Sequence, residues 1–234
     1  MTRDAFQRFG LVALATDMTI EGDAARLMPP GTRLHVTRIA FDNPTTEENL
    51  RHTGPRLRAA VDLIVPGVDL AGIAFGCTSA SAVLGDDMEG LAGGRAPVTT
   101  PAGAALRGFA ALGVDRVGLM TPYLEATTDL VGDYFQARGI DVLRRSSMGH
   151  ADDRDMARLG AAEIIEMAEE SDHPDAQALF MSCTALPALD VIERVEALLG
   201  KPVLSSNQAL FWAMLDRVAI PSAGPGALFR CRTW

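Results

Sequence analysis

Short apolar runs alternate along this chain with longer amphipathic stretches, the pattern of an α/β protein built on mainly parallel sheets. The apolar runs predict strands at residues 11–15, 34–41, 72–75, 98–100, 117–121, 142–145, 178–182 and 203–205. The stretches between them predict helices at 47–63, 102–112, 124–138, 154–168, 186–199 and 208–217. The helix at 186–199 has the clearest period: Ala188, Val191, Ile192, Val195 and Leu199 share one face, Glu193 and Glu196 point away, and Gly200 supplies the stop. Gly113 and Gly139 end their helices in the same way. Thr45 or Thr46 can cap the helix opened by Glu47 and Glu48, whose charges suit its positive end. The longest loop, residues 85–96 with Gly90, Gly93 and Gly94, has room for one short helix.

Part of this pattern occurs twice. Ile73-Ala74-Phe75-Gly76-Cys77-Thr78-Ser79 is followed by a helix-length stretch, Pro97-Val98-Thr99-Thr100 and Ala104. Leu179-Phe180-Met181-Ser182-Cys183-Thr184-Ala185 is followed by a helix-length stretch, Pro202-Val203-Leu204-Ser205-Ser206 and Ala209. Cys77 precedes Pro97 by 20 residues and Cys183 precedes Pro202 by 19. Such self-similarity predicts two related halves, each with a thiol just past a buried strand. The division expected is residues 1–103 with 208–234 as the first lobe and 104–207 as the second, crossing near Gly103 and returning near Asn207. If the halves pack face to face, the two thiols flank one cleft.

Composition narrows the function. A net charge of −9, from 21 basic and 30 acidic side chains, argues against nucleic acid and anionic membrane as partners. No stretch is apolar for long enough to span a bilayer. The start, Met1-Thr2-Arg3-Asp4, lacks a signal peptide's apolar core. Three cysteines without a close pair suit a reducing cytosol, so the expectation is a cytoplasmic protein.

Loops after parallel strands are where open α/β sheets bind ligands, and Cys77 and Cys183 both sit there, each before a small, polar helix start. Amides at a helix N-terminus favour thiolate and bind carboxylates. Free cysteine is usually buried and inert, but matched places in a repeat favour chemistry for this pair. Cys231 has no counterpart and reads as incidental. The histidines His35, His52, His150 and His173 show no metal-ligand spacing. No Walker loop, dinucleotide fingerprint or nucleophile elbow is present. Tyr123, in Thr121-Pro122-Tyr123, either points a phenol into the cleft or packs in the core.

In order, Gly76-Cys77-Thr78-Ser79, Thr121-Pro122-Tyr123, Ser182-Cys183-Thr184 and Gly200-Lys201-Pro202-Val203 with Ser205-Ser206-Asn207-Gln208-Ala209 resemble the aspartate/glutamate racemase superfamily. The likeness is closer to its maleate isomerase and arylmalonate decarboxylase branch. Ala15-Thr16-Asp17-Met18-Thr19 and Asn43-Pro44-Thr45-Thr46-Glu47-Glu48-Asn49-Leu50 look most like the ectoine-utilisation protein A group. The resemblance implies two pseudo-symmetric Rossmann-like lobes with the active site between them, no cofactor and no metal, and a small carboxylate substrate; a homodimer is compatible with it. It implies Cys77 and Cys183 as the catalytic pair and Thr19, Thr78, Ser79, Tyr123 and Thr184 as substrate contacts. Arylmalonate decarboxylases keep only the second cysteine, so Cys77 speaks against that activity.

Maleate isomerases of this branch carry substrate-binding asparagines where this chain has Asp17 and, by a looser correspondence, Asp153. An amide can donate to a substrate carboxylate, whereas an ionised aspartate only accepts. The expected substrate is therefore an amine-bearing carboxylic acid, diaminobutyrate-like by the ectoine likeness, racemised or epimerised between two thiols. Helix capping is the competing assignment for both aspartates. The alternatives are a maleate-type cis–trans isomerase and, from another class, a non-catalytic binding protein or partner subunit; a thiol–disulfide protein is disfavoured by the lack of a close cysteine pair.

Overall fold

The computed structural model describes residues 6–231; the start at Met1-Thr2-Arg3-Asp4 lies outside them. The first half runs β1 (Gln7–Leu14), α1 (Ile20–Leu27), β2 (Thr32–Ile39), α2 (Glu47–Arg51), α3 (Gly54–Asp62), β3 (Gly72–Gly76), α4 (Thr78–Leu84), α5 (Met88–Leu91), β4 (Val98–Thr99) and α6 (Pro101–Leu112). The second runs β5 (Arg116–Thr121), α7 (Glu125–Gln136), β6 (Asp141–Ser147), α8 (Asp153–Met156), α9 (Ala161–Glu170), β7 (Ala178–Met181), α10 (Ile192–Leu199), β8 (Val203–Ser205) and α11 (Ser206–Asp216).

The strands form two parallel four-stranded sheets, ordered β2-β1-β3-β4 and β6-β5-β7-β8. The orders are the same pattern applied twice, as the repeat requires. In each sheet the cysteine-bearing loop follows the third strand, which lies inside the sheet and is buried along its length. Such strands read as continuous apolar runs because helices cover both faces.

One hydrophobic cluster is shared by the lobes. Phe109 of α6 sits edge-on to Phe135 of α7 and Phe180 of β7, with ring centroids 5.6 and 5.8 Å apart. α11 lies against α6, α1 and β3 and is buried from Ser206 to Leu215. It carries no amphipathic stripe because it has no solvent face. A second cluster fills the far side of the first sheet and reaches Cys77.

Three predicted helices are broken. The one at 47–63 divides at Thr53, whose hydroxyl donates to Leu50 O at 2.6 Å, before Gly54-Pro55 restarts the chain. The one at 154–168 divides at Gly160, and that at 186–199 begins with a 3-10 turn at Ala188–Asp190. Thr46, not Thr45, caps α2 through Asn49 N. Glu196 departs from the expected outward direction: Oε1 accepts from Val203 N at 3.1 Å and Ala227 N at 2.7 Å. A carboxylate can take an inward helical position when backbone donors meet it there.

Candidate active site

Cys77 follows β3 and caps α4, its Sγ accepting from Ala80 N at 3.4 Å and lying 3.7 Å from Ser79 Oγ. Cys183 follows β7 with a backbone φ of 155°, a region that side-chain-bearing residues occupy only when neighbours hold them. Its N–H donates to Ser206 Oγ at 2.9 Å, and its Sγ is 3.9 Å from Met156 Sδ. Each cysteine is 5% exposed, and both line one cavity with Ser79, Tyr123, Asp153 and Thr184. The free room inside is about 20 Å³, space for little more than one water, so a substrate enters only when the walls part.

The rest of the wall is Leu14, Phe41, Thr45, Met156 and Ala185, of which only Ala185, in the helix start after the second thiol, was expected near a carboxylate. Leu14, Phe41 and Met156 are apolar residues that read as ordinary core. Thr45 drew attention as a candidate helix cap and within the likeness of residues 43–50, yet it also binds the second lobe through its own backbone. Its N–H donates to Ala151 O at 3.0 Å and its carbonyl accepts from Thr127 Oγ1 at 2.6 Å. A larger hollow, lined by Trp212, Ile220, Phe229 and Cys231 among others, shares no residue with this cavity.

Three predicted substrate contacts are not in the cavity wall. Thr78 Oγ1 donates to Ser206 Oγ at 2.8 Å, and Thr19 Oγ1 donates to Ala185 O at 2.6 Å. Both hydroxyls are thus bonded to helix or backbone. Asp17 Oδ1 accepts from Thr19 N at 2.8 Å and Ile20 N at 2.9 Å, so it caps the start of α1. Its other oxygen is buried without a geometric hydrogen bond; the Thr184 hydroxyl, which donates to Gly76 O at 3.3 Å, lies close enough to stabilise the carboxylate. Asp153, by contrast, does not cap its helix; Asp152 does, through Arg154 N. Asp153 is held at the cavity wall by Thr16 Oγ1 at 2.5 Å and Asn43 Nδ2 at 2.9 Å. Both holders are neutral; the charge of Arg154, which pairs with Asp152 and does not line the cavity, also acts on it.

The site favours protonated thiols at rest. Burial pushes Cys77 up to about 12, against the Ala80 amide and Ser79 hydroxyl, with Asp153 and Asp17 pushing the same way. Burial also raises Cys183; the Tyr123 hydroxyl opposes it most, and Asp17 adds to the rise. Tyr123 is held well above its usual value by burial and by the two sulfurs it faces. Burial likewise lifts the Asp17 carboxyl, against the amides of Ile20 and Thr19. Of the described residues lining the cavity, none is Lys, Arg or His. Among the described residues, no cluster of histidine, cysteine or carboxylate is arranged to hold a metal ion, and no helix is long and apolar enough to cross a membrane.

A family model described as arylmalonate decarboxylase matches residues 76–229. A maleate isomerase from Nocardia farcinica is 28% identical over 94% of each chain, and one from Geobacillus stearothermophilus is 25% identical over 94% of this chain and 95% of its own. An arylmalonate decarboxylase from Bordetella bronchiseptica is 34% identical over 57% of this chain and 55% of its own. The solved structure of the Nocardia farcinica maleate cis-trans isomerase bound to TRIS superposes with a TM-score of 0.86 at 25% identity, covering 96% of this chain and 98% of that one. A mutant of the same enzyme with a covalently bound succinylcysteine intermediate superposes with a TM-score of 0.86 at 24% identity, with the same coverage.

Proposed function

Because the chain belongs to the arylmalonate decarboxylase family, we propose that it is a cofactor-independent, cysteine-dependent isomerase of the maleate isomerase type. It works on a small carboxylic acid held between Cys77 and Cys183. The observation that carries this reading is that both thiols line one narrow cavity at matched places of a repeated fold. A binding protein needs no such pair.

In the cis–trans reaction, one thiolate adds to a carbon of the double bond and forms a C–S bond. Charge passes to the neighbouring carbon and its carboxylate, where hydroxyl donors such as Ser79 can meet it. The former double bond rotates, the C–S bond breaks, and the thiolate is restored. The second thiol stands on the other face, where it can lend and recover a proton. Burial keeps both sulfurs protonated at rest, so thiolate forms only once the bound substrate has altered the cavity.

Asp153 favours a second reading. A carboxylate in a cavity wall that holds no basic side chain is poorly matched to the second carboxylate of maleate and suits an ammonium group. An ammonium there also offsets the charge that raises Cys77. The reaction is then racemisation or epimerisation: one thiolate takes the proton next to the carboxylate and the facing thiol returns one to the other side. The likeness of residues 15–19 and 43–50 to ectoine-utilisation proteins makes 2,4-diaminobutyrate the first amine to try.

The test is protection of Cys77 and Cys183 from iodoacetamide, followed by peptide mass mapping, with maleate and 2,4-diaminobutyrate in competition. Protection of both thiols by either compound supports the shared site. Stronger protection by maleate selects the cis–trans reaction, and stronger protection by the amine selects the second. Protection of neither thiol, or of one alone, removes the two-thiol reading.

A further inference from the structure

The cysteine loops come from different sheets, yet one hydroxyl touches both. Ser206 Oγ accepts from Thr78 Oγ1 at 2.8 Å and from Cys183 N at 2.9 Å. Thr78 is the residue after the first thiol, and Cys183 carries the second. Ser206 is itself completely buried. It opens α11, whose start is fixed by a reciprocal cap between Ser205 and Gln208 and whose body is buried on every side. A second tie, Thr184 Oγ1 to Gly76 O at 3.3 Å, joins the same loops directly.

The repeat does not account for this. Ser205 matches Thr100, and both are helix caps, but Ser206 matches Pro101, which has no hydroxyl. The first half therefore lacks the equivalent contact, and one side chain serves two loops. We infer that Ser206 is a positioning residue for the two-thiol site, holding the loops of Cys77 and Cys183 to one reference point so that their sulfurs keep a fixed separation. The inference rests on the two-thiol reading of the cavity only for its catalytic consequence, because the tether is measurable without turnover.

The tether is unequal. At Cys183 it grips the backbone N–H of the cysteine itself, in a conformation that needs holding. At Cys77 it grips a neighbouring side chain, while Cys77 stays fixed by its own cap on α4. Ser206→Ala removes both grips and leaves a buried N–H unpaired, whereas Thr78→Val removes only the grip on the first loop.

The experiment measures iodoacetamide alkylation of each cysteine by peptide mass mapping in wild type, Ser206→Ala, Thr78→Val and Thr78→Ser. Melting temperatures are recorded alongside. Expected are a rise of tenfold or more at Cys183 in Ser206→Ala with a smaller rise at Cys77, a rise confined to Cys77 in Thr78→Val, and wild-type rates in Thr78→Ser, which keeps the hydroxyl. On whichever acid the wild type turns over, Ser206→Ala lowers kcat by about 10²-fold with KM within threefold, since displaced reacting groups cost rate. Unchanged Cys183 alkylation in a folded Ser206→Ala protein overturns the inference. So does a Thr78→Val variant that exposes Cys183 as much as Cys77, and this arm decides the matter if Ser206→Ala does not fold. Altered alkylation without any turnover in the wild type would leave the tether standing and remove the isomerase reading.

Discussion

Replacing Asp23 by asparagine stabilises the protein at neutral and alkaline pH. Asp23 lies on α1, is 6% exposed, and accepts from Asn207 Nδ2 at 2.8 Å. Asn207 Nδ2 also donates to Thr184 O at 2.8 Å, next to Cys183, and Asn207 Oδ1 is buried without a partner. Burial lifts the Asp23 carboxyl from 3.8 to about 6, against the Asn207 hydrogen bond and the Arg26 charge. A shift of about two units corresponds to ~3 kcal/mol. The folded state binds the proton more tightly than the unfolded one, so this group's contribution is complete below pH 4 and is lost as pH rises through about 6. Asp23→Asn removes the buried charge, keeps an acceptor for Asn207 Nδ2, and offers a donor to the unpaired Oδ1. Its advantage over wild type is largest at pH 8 and narrows by about 2 kcal/mol at pH 4.5. For a chain of this size that is roughly 4–8 °C in melting temperature. Thermal or urea unfolding of both proteins at the two pH values measures it, and taking the difference cancels other titrating groups. An equal gap at both pH values, or a variant less stable at pH 8, refutes the reasoning.

With Cys77 pushed up to about 12, its alkylation by iodoacetamide rises close to tenfold per pH unit from pH 8 to 11; a plateau near pH 9 would mean an ordinary thiol. Gly118→Ala costs about 1–3 kcal/mol, because a Cβ there would come 2.6 Å from the backbone carbonyl oxygen of Ser171; unchanged denaturation would show that this approach relaxes freely. Cys231→Ala, at a thiol outside the cavity, leaves both stability and cavity-thiol alkylation unchanged; a change in either would tie the second hollow to the site.

All eight strands were legible because their apolar runs are short and bounded, and the doubled Gly-Cys-Thr and Ser-Cys-Thr segments disclosed the paired sheets. α1 was not, since Thr19-Ile20-Glu21 follows a strand and the side chain that caps it, Asp17, stands three residues ahead of its start. The breaks at Thr53 and Gly160 were hidden by helical period continuing across them. Of the residues lining the cavity, Cys77 and Cys183 were legible from their matched places in the repeat, and Ser79, Tyr123, Thr184 and Asp153 from the family resemblance. Leu14, Phe41 and Met156 could not, because a cavity wall and a core position have the same chemistry and differ only in what lies opposite. Thr19 and Thr78 lie outside the cavity wall for the converse reason: a hydroxyl in a sequence carries no sign of which way it points. Ser206 lay in a quoted motif, but only the fold brings it between the cysteine loops.

The central claim is that Cys77 and Cys183 act together on one substrate. Proton NMR in deuterated water tests it most directly, following maleate and 2,4-diaminobutyrate with wild type, Cys77→Ala and Cys183→Ala. The account predicts that wild type either makes fumarate or exchanges and inverts the carbon next to the carboxylate, and that each variant, though folded, loses the conversion by at least about 10³-fold. Near-native conversion by either variant would contradict it.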